Sequence, residues 1–332
     1  RNKKSVAVNL KAPEGQQVVR DLVATADIVV ENFRPGTMER WGLGYEALSS
    51  TNPGLVMVRL SGFGQTGPYK DRPGFGAIGE SMGGMRYITG YPDRAPVRVG
   101  VSIGDSLAAL FGVIGALTAI HHRATSGRGQ VVDVALYEAV FAMMESMLPE
   151  YGMGHHVRER AGSALPGIVP SNTYPCRDGK YVVIGANADS IFKRMMKAIG
   201  RDDLAADPSL ADNAGRVKRT AELDQAIGEW TATVDLEEAL SVLEEAEVPS
   251  GRIYSIADIT ADLHYQARGM IERHKLGHHD LLLPGIVPKL SATPGGTRWI
   301  GPKLGEHTDA VLRDLGYDDA RIQSLRAKGV LS

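Results

Sequence analysis

Within its first sixty residues the chain switches repeatedly between two hydrophobic periods, and that alternation restricts its fold more than any other feature. Residues 5–10 alternate as a strand does, and residues 13–25, opened by Pro13-Glu14-Gly15, carry Val18, Val19, Leu22 and Val23 at helical spacing. Ile28-Val29-Val30 is a short β-branched run, residues 36–48 have helix-like spacing, and residues 55–60 are again strand-like. The order β-α-β-α-β predicts an α/β fold with a mostly parallel, helix-covered sheet, whose ligand sites fall at the carboxyl ends of the strands.

With 332 residues the chain is long enough for about two domains. Residues 61–104 are Gly/Pro-rich with little periodicity beyond a short helix at 77–85, and loops of that length are usually functional. Residues 106–123 are apolar almost all round, through Leu107, Leu110, Phe111, Ile114, Leu117 and Ile120, which predicts a central buried helix. Its apolar stretch, 107–120, is shorter than the roughly 20 residues of a membrane span, so no membrane partner is expected. A strand at 130–135 and a helix at 136–148 precede an irregular linker; a strand at 181–184 and amphipathic helices at 190–199, 220–234 and 236–245 then indicate a second, smaller α/β domain. The expected layout is a large domain over 1–150, a linker over 151–170, the small domain over 171–270, and a second linker with return to the large domain over 271–332.

Composition excludes several classes. Lys+Arg number 37 against 39 Asp+Glu, and aromatics make up 6%, which argues against nucleic-acid binding through a basic face or stacking platform. Cys176 is the single cysteine, so an internal disulfide and cysteine-rich zinc sites are excluded and a reducing, cytoplasmic setting is expected. The paired histidines His121-His122, His155-His156 and His278-His279 lack ligand spacing, and no metal site is expected.

Stock catalytic motifs fit poorly. Gly62-Phe63-Gly64-Gln65-Thr66-Gly67 matches GxGxxG after a strand, but Pro68, Asp71, Arg72 and Pro73 follow where a dinucleotide fold requires a helix. No Gly-x-Ser-x-Gly elbow is present. Cys176 reads as a buried, inert thiol. Asp105, between an extended segment and the most apolar helix, has two compatible readings: an N-cap, or a carboxylate nucleophile toward an activated acyl group. The run Glu31-Asn32-Phe33-Arg34-Pro35-Gly36-Thr37-Met38-Glu39-Arg40, leading from a strand into a helix, suits an anion, with Arg34, Arg40 and Lys11 able to converge on phosphate.

Taken together, these pieces resemble the class III CoA-transferase family of the formyl-CoA transferase type, which also contains acyl-CoA racemases. The match rests on Arg1-Asn2-Lys3-Lys4-Ser5-Val6, the Glu31 to Gly36 block, Ser61-Gly62-Phe63-Gly64-Gln65-Thr66-Gly67-Pro68, Pro96-Val97-Arg98-Val99-Gly100 with Gly104-Asp105, Gly127-Arg128-Gly129-Gln130-Val131-Val132-Asp133-Val134, and Leu304-Gly305-Glu306-His307-Thr308-Asp309, in order along the whole chain. The resemblance implies a Rossmann-like large domain closed by both chain ends, a small α/β domain between them, and an interlocked homodimer. It places Asp105 on the family's nucleophile and Val8, Lys11, Asn32, Phe33 and Arg40 on positions lining the coenzyme A site, with Arg34 beside them. Implied substrates are an acyl-CoA thioester and a small carboxylic acid, with no permanently bound cofactor.

Three departures sharpen this expectation. Family members carry a strand-loop-helix segment with CoA contacts of its own, expected upstream of Arg1. The stretch Ala161-Gly162-Ser163-Ala164-Leu165-Pro166-Gly167 lacks the glycine run that forms a lid in some formyl-CoA transferases. Phe75, in Arg72-Pro73-Gly74-Phe75, stands where the racemase branch has its proton-transferring histidine, and a phenyl ring transfers no proton. CoA transfer is therefore the leading expectation; an acyl-CoA racemase and a non-catalytic CoA-binding protein are the alternatives. Arg72, Arg86, Arg94 and Arg98 are candidates to pair a second carboxylate of a dicarboxylic substrate.

Overall fold

The computed structural model describes residues 1–332 and divides into two compact units: Arg1–Thr89, Pro96–Glu159 and Thr297–Ser332 form the larger, and Gly90–Ala95 with Arg160–Gly296 the smaller.

In the larger unit, α1 (Pro13–Val23) leads to β1 (Ile28–Glu31), the short helices α2 (Thr37–Arg40) and α3 (Tyr45–Ser49), and β2 (Val56–Ser61). The helices α4 (Gly76–Met82), α5 (Met85–Ile88) and α6 (Ile103–Ser126) precede β3 (Val131–Ala135), α7 (Leu136–Phe141) and α8 (Met147–Gly154). The three strands form a parallel sheet in the order β1-β2-β3, with Val30 opposite Val58 and Arg59 opposite Asp133. Central β2 opens with the apolar run Val56 to Val58 because both faces are covered there: Met57 joins Val23, Leu43 and Leu48, while Val56 and Val58 pack against Ala116 and Ala119 of α6.

Several expectations are corrected here. Residues 5–10 do not join the sheet; Val8 makes a single antiparallel bridge to Leu331, and the Asn9 N–H donates to the Val330 carbonyl at 2.9 Å. Their alternation is satisfied instead by an apolar cluster with Val18, Leu312 and Leu331. The helix-like 36–48 run breaks into two because Gly42 turns into the left-handed region at φ +65°. Likewise the 136–148 helix ends at Phe141, and a new one continues to Gly154, inside the stretch expected to be irregular.

Helix α6 differs most from its reading as a helix buried all round. Its buried residues are Gly104, Ala108, Gly112, Ala116 and Ala119, whereas Leu110, Val113, Ile114 and Leu117 are each 57–63% exposed. Small residues let the helix backbone approach the sheet closely: a methyl group at Gly115 would lie 2.4 Å from Val132 Cγ1. By length and composition this 24-residue helix could cross a membrane, but its small-residue face lies along β2 and β3.

The smaller unit holds an antiparallel sheet of β4 (Ser171–Pro175), β5 (Tyr181–Gly185) and β6 (Ser250–Arg252), and a hairpin of β7 (Ile271–Leu276) and β8 (His279–Pro284). Helices Asp189–Ala198, Thr220–Thr231 and Leu236–Glu245 cover the sheet with Phe192, Met195, Met196, Leu223, Ile227 and Leu243 in one continuous core. Arg216 is fully buried in this unit; its guanidinium donates to the carbonyls of Val169, Leu210 and Asn187 and pairs with Asp189.

Candidate active site

Helix α6 starts at Ile103 with Ser102 as its N-cap residue, so Asp105 lies in the first helical turn and is not the cap. A carboxylate there still interacts favourably with the helix dipole. Its approach segment is fixed by Glu80, 1% exposed on α4, whose Oε1 accepts the Val99 N–H at 3.2 Å and the Arg86 Nε–H at 3.4 Å. Arg98 adds a bond from Nη2 to the Ser102 hydroxyl at 3.3 Å.

Glycines then bring backbone up to this carboxylate. A methyl group at Gly76 would stand 2.4 Å from Asp105 Oδ2, and one at Gly104 would stand 2.8 Å from the Gly76 carbonyl oxygen. Gly62 and Gly74 face each other equally closely, since a methyl on either would lie 2.8 Å from the other's Cα. Around them opens a cavity of about 310 Å³, whose walls include Asn32 after β1, Leu60 and Ser61 at the end of β2, Leu136 after β3, and Phe75. All three parallel strands thus deliver residues to this cavity from their carboxyl ends, where an α/β fold is expected to bind ligands. The Ser61 hydroxyl is buried and has no hydrogen-bond partner. A more voluminous groove of about 710 Å³ lies in the smaller unit beside Leu240 and Arg252; it is open and lined by none of the residues singled out from the sequence.

The turn after β1 is held by a buried ion-pair network that the sequence reading missed. Arg59 on β2, 7% exposed, donates from Nε to Glu31 Oε1 at 2.7 Å, from Nη1 to Glu39 Oε1 at 2.6 Å and from Nη2 to Glu39 Oε2 at 3.1 Å. The other Glu31 oxygen accepts the Phe33 N–H at 2.7 Å. Bonding to Arg59 holds the Glu39 carboxyl below its ordinary range. Burial opposes the Arg59 charge, but the two glutamates more than offset that and raise its pKa. The available signal was a glutamate closing the apolar run of β1 and an arginine inside the apolar run of β2, at positions that the register makes opposite.

The structure gathers the named residues unevenly. Asn32 shares the cavity with Asp105. Phe33 packs edge-on against Trp41, centroids 5.1 Å apart, and Arg34 is exposed on the same turn. Arg40 donates to the Thr37 hydroxyl at 2.7 Å within α2. Val8 and Lys11 belong to a different place, the segment tied to Leu331 and leading into α1. None of the four arginines considered for a second carboxylate lines the cavity: Arg72 lies over the Tyr69 ring at 3.6 Å, Arg94 is beside Tyr91 in the smaller unit, and Arg86 and Arg98 serve Glu80. Cys176 is buried in the smaller unit's core, and that burial pushes its thiol pKa up, in keeping with an inert side chain. No helix begins at Gly67, which removes the dinucleotide reading of GxGxxG.

Known proteins resemble this chain in sequence and fold. A model of CoA-transferase family III matches residues 1–308. The succinyl-CoA–D-citramalate CoA-transferase of Chloroflexus aurantiacus is 51% identical over 337 residues, covering 100% of this chain and 83% of the relative. The succinyl-CoA–L-malate CoA-transferase beta subunit of the same organism is 42% identical with the same coverage. Among solved structures, a CAIB/BAIF family protein from Brucella suis aligns with a TM-score of 0.82 and 34% identity, over 95% of this chain and 82% of that one. The chain belongs to CoA-transferase family III and is an enzyme that transfers coenzyme A to a carboxylic acid.

Proposed function

We propose that Asp105 is the nucleophile of a succinyl-CoA-dependent transferase whose acceptor is a small dicarboxylic acid. The observation that carries the reading is the Asp105 carboxylate, set against the Gly76 backbone in a cavity that it shares with Asn32 of the anion-suited turn. Both relatives quoted above are named for a succinyl-CoA donor and a hydroxydicarboxylate acceptor, which supports the substrate class. At about 310 Å³ the cavity suits the acyl and thioester end of the donor, with the rest of CoA outside it along the turn of Asn32, Phe33, Arg34 and Arg40; Val8 and Lys11 complete the CoA-binding residues.

Chemistry runs by acyl exchange with no net change of oxidation state. Asp105 attacks the thioester carbonyl, forming a mixed anhydride and releasing CoA thiolate. The thiolate attacks the aspartyl carbonyl, so that the donor acid leaves as its carboxylate and an aspartyl-CoA thioester remains. The acceptor carboxylate then attacks this thioester, giving a new anhydride, and returning thiolate takes the acceptor acyl group while Asp105 is regenerated. Each step passes through a tetrahedral oxyanion, which needs donors and exclusion of water. Close glycine backbones and the unpartnered Ser61 hydroxyl are suited to that task. Phe75 in the cavity wall offers no proton relay, which disfavours racemisation.

The proposal includes a cytoplasmic enzyme with a Rossmann-like CoA domain, without a resident cofactor, acting as an interlocked homodimer. The large apolar side chains exposed on α6 support burial by a further surface, and light scattering of the protein in solution tests the dimer. The mechanism is tested by incubating the enzyme with succinyl-CoA, quenching with hydroxylamine and mapping peptides by mass spectrometry. A hydroxamate on Asp105, absent from Asp105→Asn, is expected; an unmodified Asp105 during turnover overturns the reading.

A further inference from the structure

Resting on that assignment of the CoA site, we infer that Glu31 and Arg59 are positioning residues for coenzyme A, clamping both ends of the turn that receives it. A buried ion pair contributes little net stability, because desolvation offsets its attraction, and well-packed apolar residues often replace it without loss. Glu31 and Arg59 are nevertheless 5% and 7% exposed, within a sheet whose other central positions are Val, Met and Leu. Their hydrogen bonds show what they add beyond cohesion.

One guanidinium holds two carboxylates on opposite sides of the same turn. Glu31 stands where β1 ends, and its second oxygen fixes the Phe33 N–H at 2.7 Å, which sets the direction in which Asn32 and Phe33 leave the strand. Glu39 stands on α2, where the turn re-enters regular structure, and takes both Nη1 and Nη2 of Arg59 at 2.6 and 3.1 Å. Every residue between, Asn32 to Met38, is bracketed by bonds to that side chain. A lysine is a point charge with no fork and cannot hold this geometry at both ends. Elsewhere the turn is anchored at its α2 end, by buried Met38, the Arg40 N–H bond to the Gly36 carbonyl at 3.0 Å and the Arg40 bond to the Thr37 hydroxyl, while Phe33 and Arg34 are held by the Phe33–Trp41 edge contact and the Thr37 N–H bond to the Arg34 carbonyl at 3.1 Å. Loosening the clamp therefore moves Asn32 at the cavity and Arg34 on the turn together, and the loss appears in CoA binding.

The test compares wild type, Arg34→Ala, the double variant Glu31→Gln/Arg59→Met and the single variant Arg59→Lys. CoA affinity is measured by calorimetry, KM for succinyl-CoA and for the acceptor acid by steady-state kinetics, and folding by thermal melting. The double variant removes both charges and leaves none buried alone, so it is expected to fold. It should bind CoA and succinyl-CoA ~10-fold or more weakly, about the loss of one charge-assisted hydrogen bond, with acceptor KM unchanged. Arg59→Lys should lie between it and wild type, and it decides the question if the double variant does not fold. Unchanged CoA affinity in a folded variant overturns the inference, as does an equal rise in both KM values, the mark of general loosening. A wild type that binds no CoA, or Arg34→Ala with unaltered affinity beside a weakened double variant, overturns instead the placing of CoA on this turn.

Discussion

Each unit buries an arginine, and the two are used differently. Arg216 in the smaller unit spends most of its donors on backbone carbonyls, inside a single core that includes Phe192, Met195 and Ile227. Arg59 in the larger unit bonds only carboxylates, and one of them, Glu39, is half-exposed next to the turn assigned to CoA. The surroundings differ in the same sense. The smaller unit closes on one core, whereas the larger has four separate apolar clusters, glycine contacts around Asp105 and large apolar side chains facing outward on α6. One unit is organised to hold itself together, and the other to present backbone and charge to a ligand.

Four variants test that contrast. The largest effect is expected from Asp105→Asn, which should lower turnover by on the order of 10⁴–10⁶-fold, the scale of losing a nucleophile, while stability stays within about 0.5 kcal/mol. Substantial residual turnover would remove Asp105 from the mechanism. Next, Arg216→Ala should destabilise the protein by ~3–5 kcal/mol in chemical denaturation, because a buried network loses its hub. Activity per folded molecule should hold; a specific loss in CoA affinity would erase the distinction between the two arginines.

Gly76→Ala forces its methyl group against the Asp105 carboxylate, and a displacement of about an ångström corresponds to roughly a 10²-fold loss in kcat. An alanine variant with wild-type turnover would show that the carboxylate has room to move. The smallest effect is acid sensitivity of the smaller unit. Hydrogen bonds from Arg201 and Arg219 hold Asp203 and Asp207 at about 2, below their ordinary 3.8. Both pKa values are depressed by folding, so their contribution is complete above pH 3.8 and is lost as pH falls through about 2. Followed through Trp230 fluorescence with Trp41 and Trp299 replaced by Phe, Arg201→Gln/Arg219→Gln should flatten the pH dependence in that window. An unaltered slope would assign the acid response to other groups.

Legibility from the sequence followed the range of the contacts involved. Local pattern was enough for α1, β2 and the helix Leu236–Glu245, whose own residues set the face they bury, and for β1, whose β-branched run favours a strand even though Val30 is exposed. It failed for residues 5–10, whose partner is more than 300 positions away at Leu331, and for the outer face of α6, where apolar spacing does not say which face is covered. Asp105 and Asn32 were identifiable through motifs, and the fold brings them to one cavity. Gly76, Ser61 and the Glu31–Arg59–Glu39 network were not, since their significance lies in approaches between segments that no short window contains.

The paired glycines around Asp105 also constrain how such a cavity can diversify. Gly62, Gly74, Gly76 and Gly104 meet backbone or the carboxylate itself at distances that no Cβ tolerates, so sequence change cannot enter the pocket through them. If Asp105 is the nucleophile proposed above, the reacting end stays constant whichever acid is taken. Variation is left to walls that carry side chains, among them the apolar Leu60, Phe75 and Leu136, and a library built at those three positions should change which acid is accepted while leaving the proposed nucleophile in place.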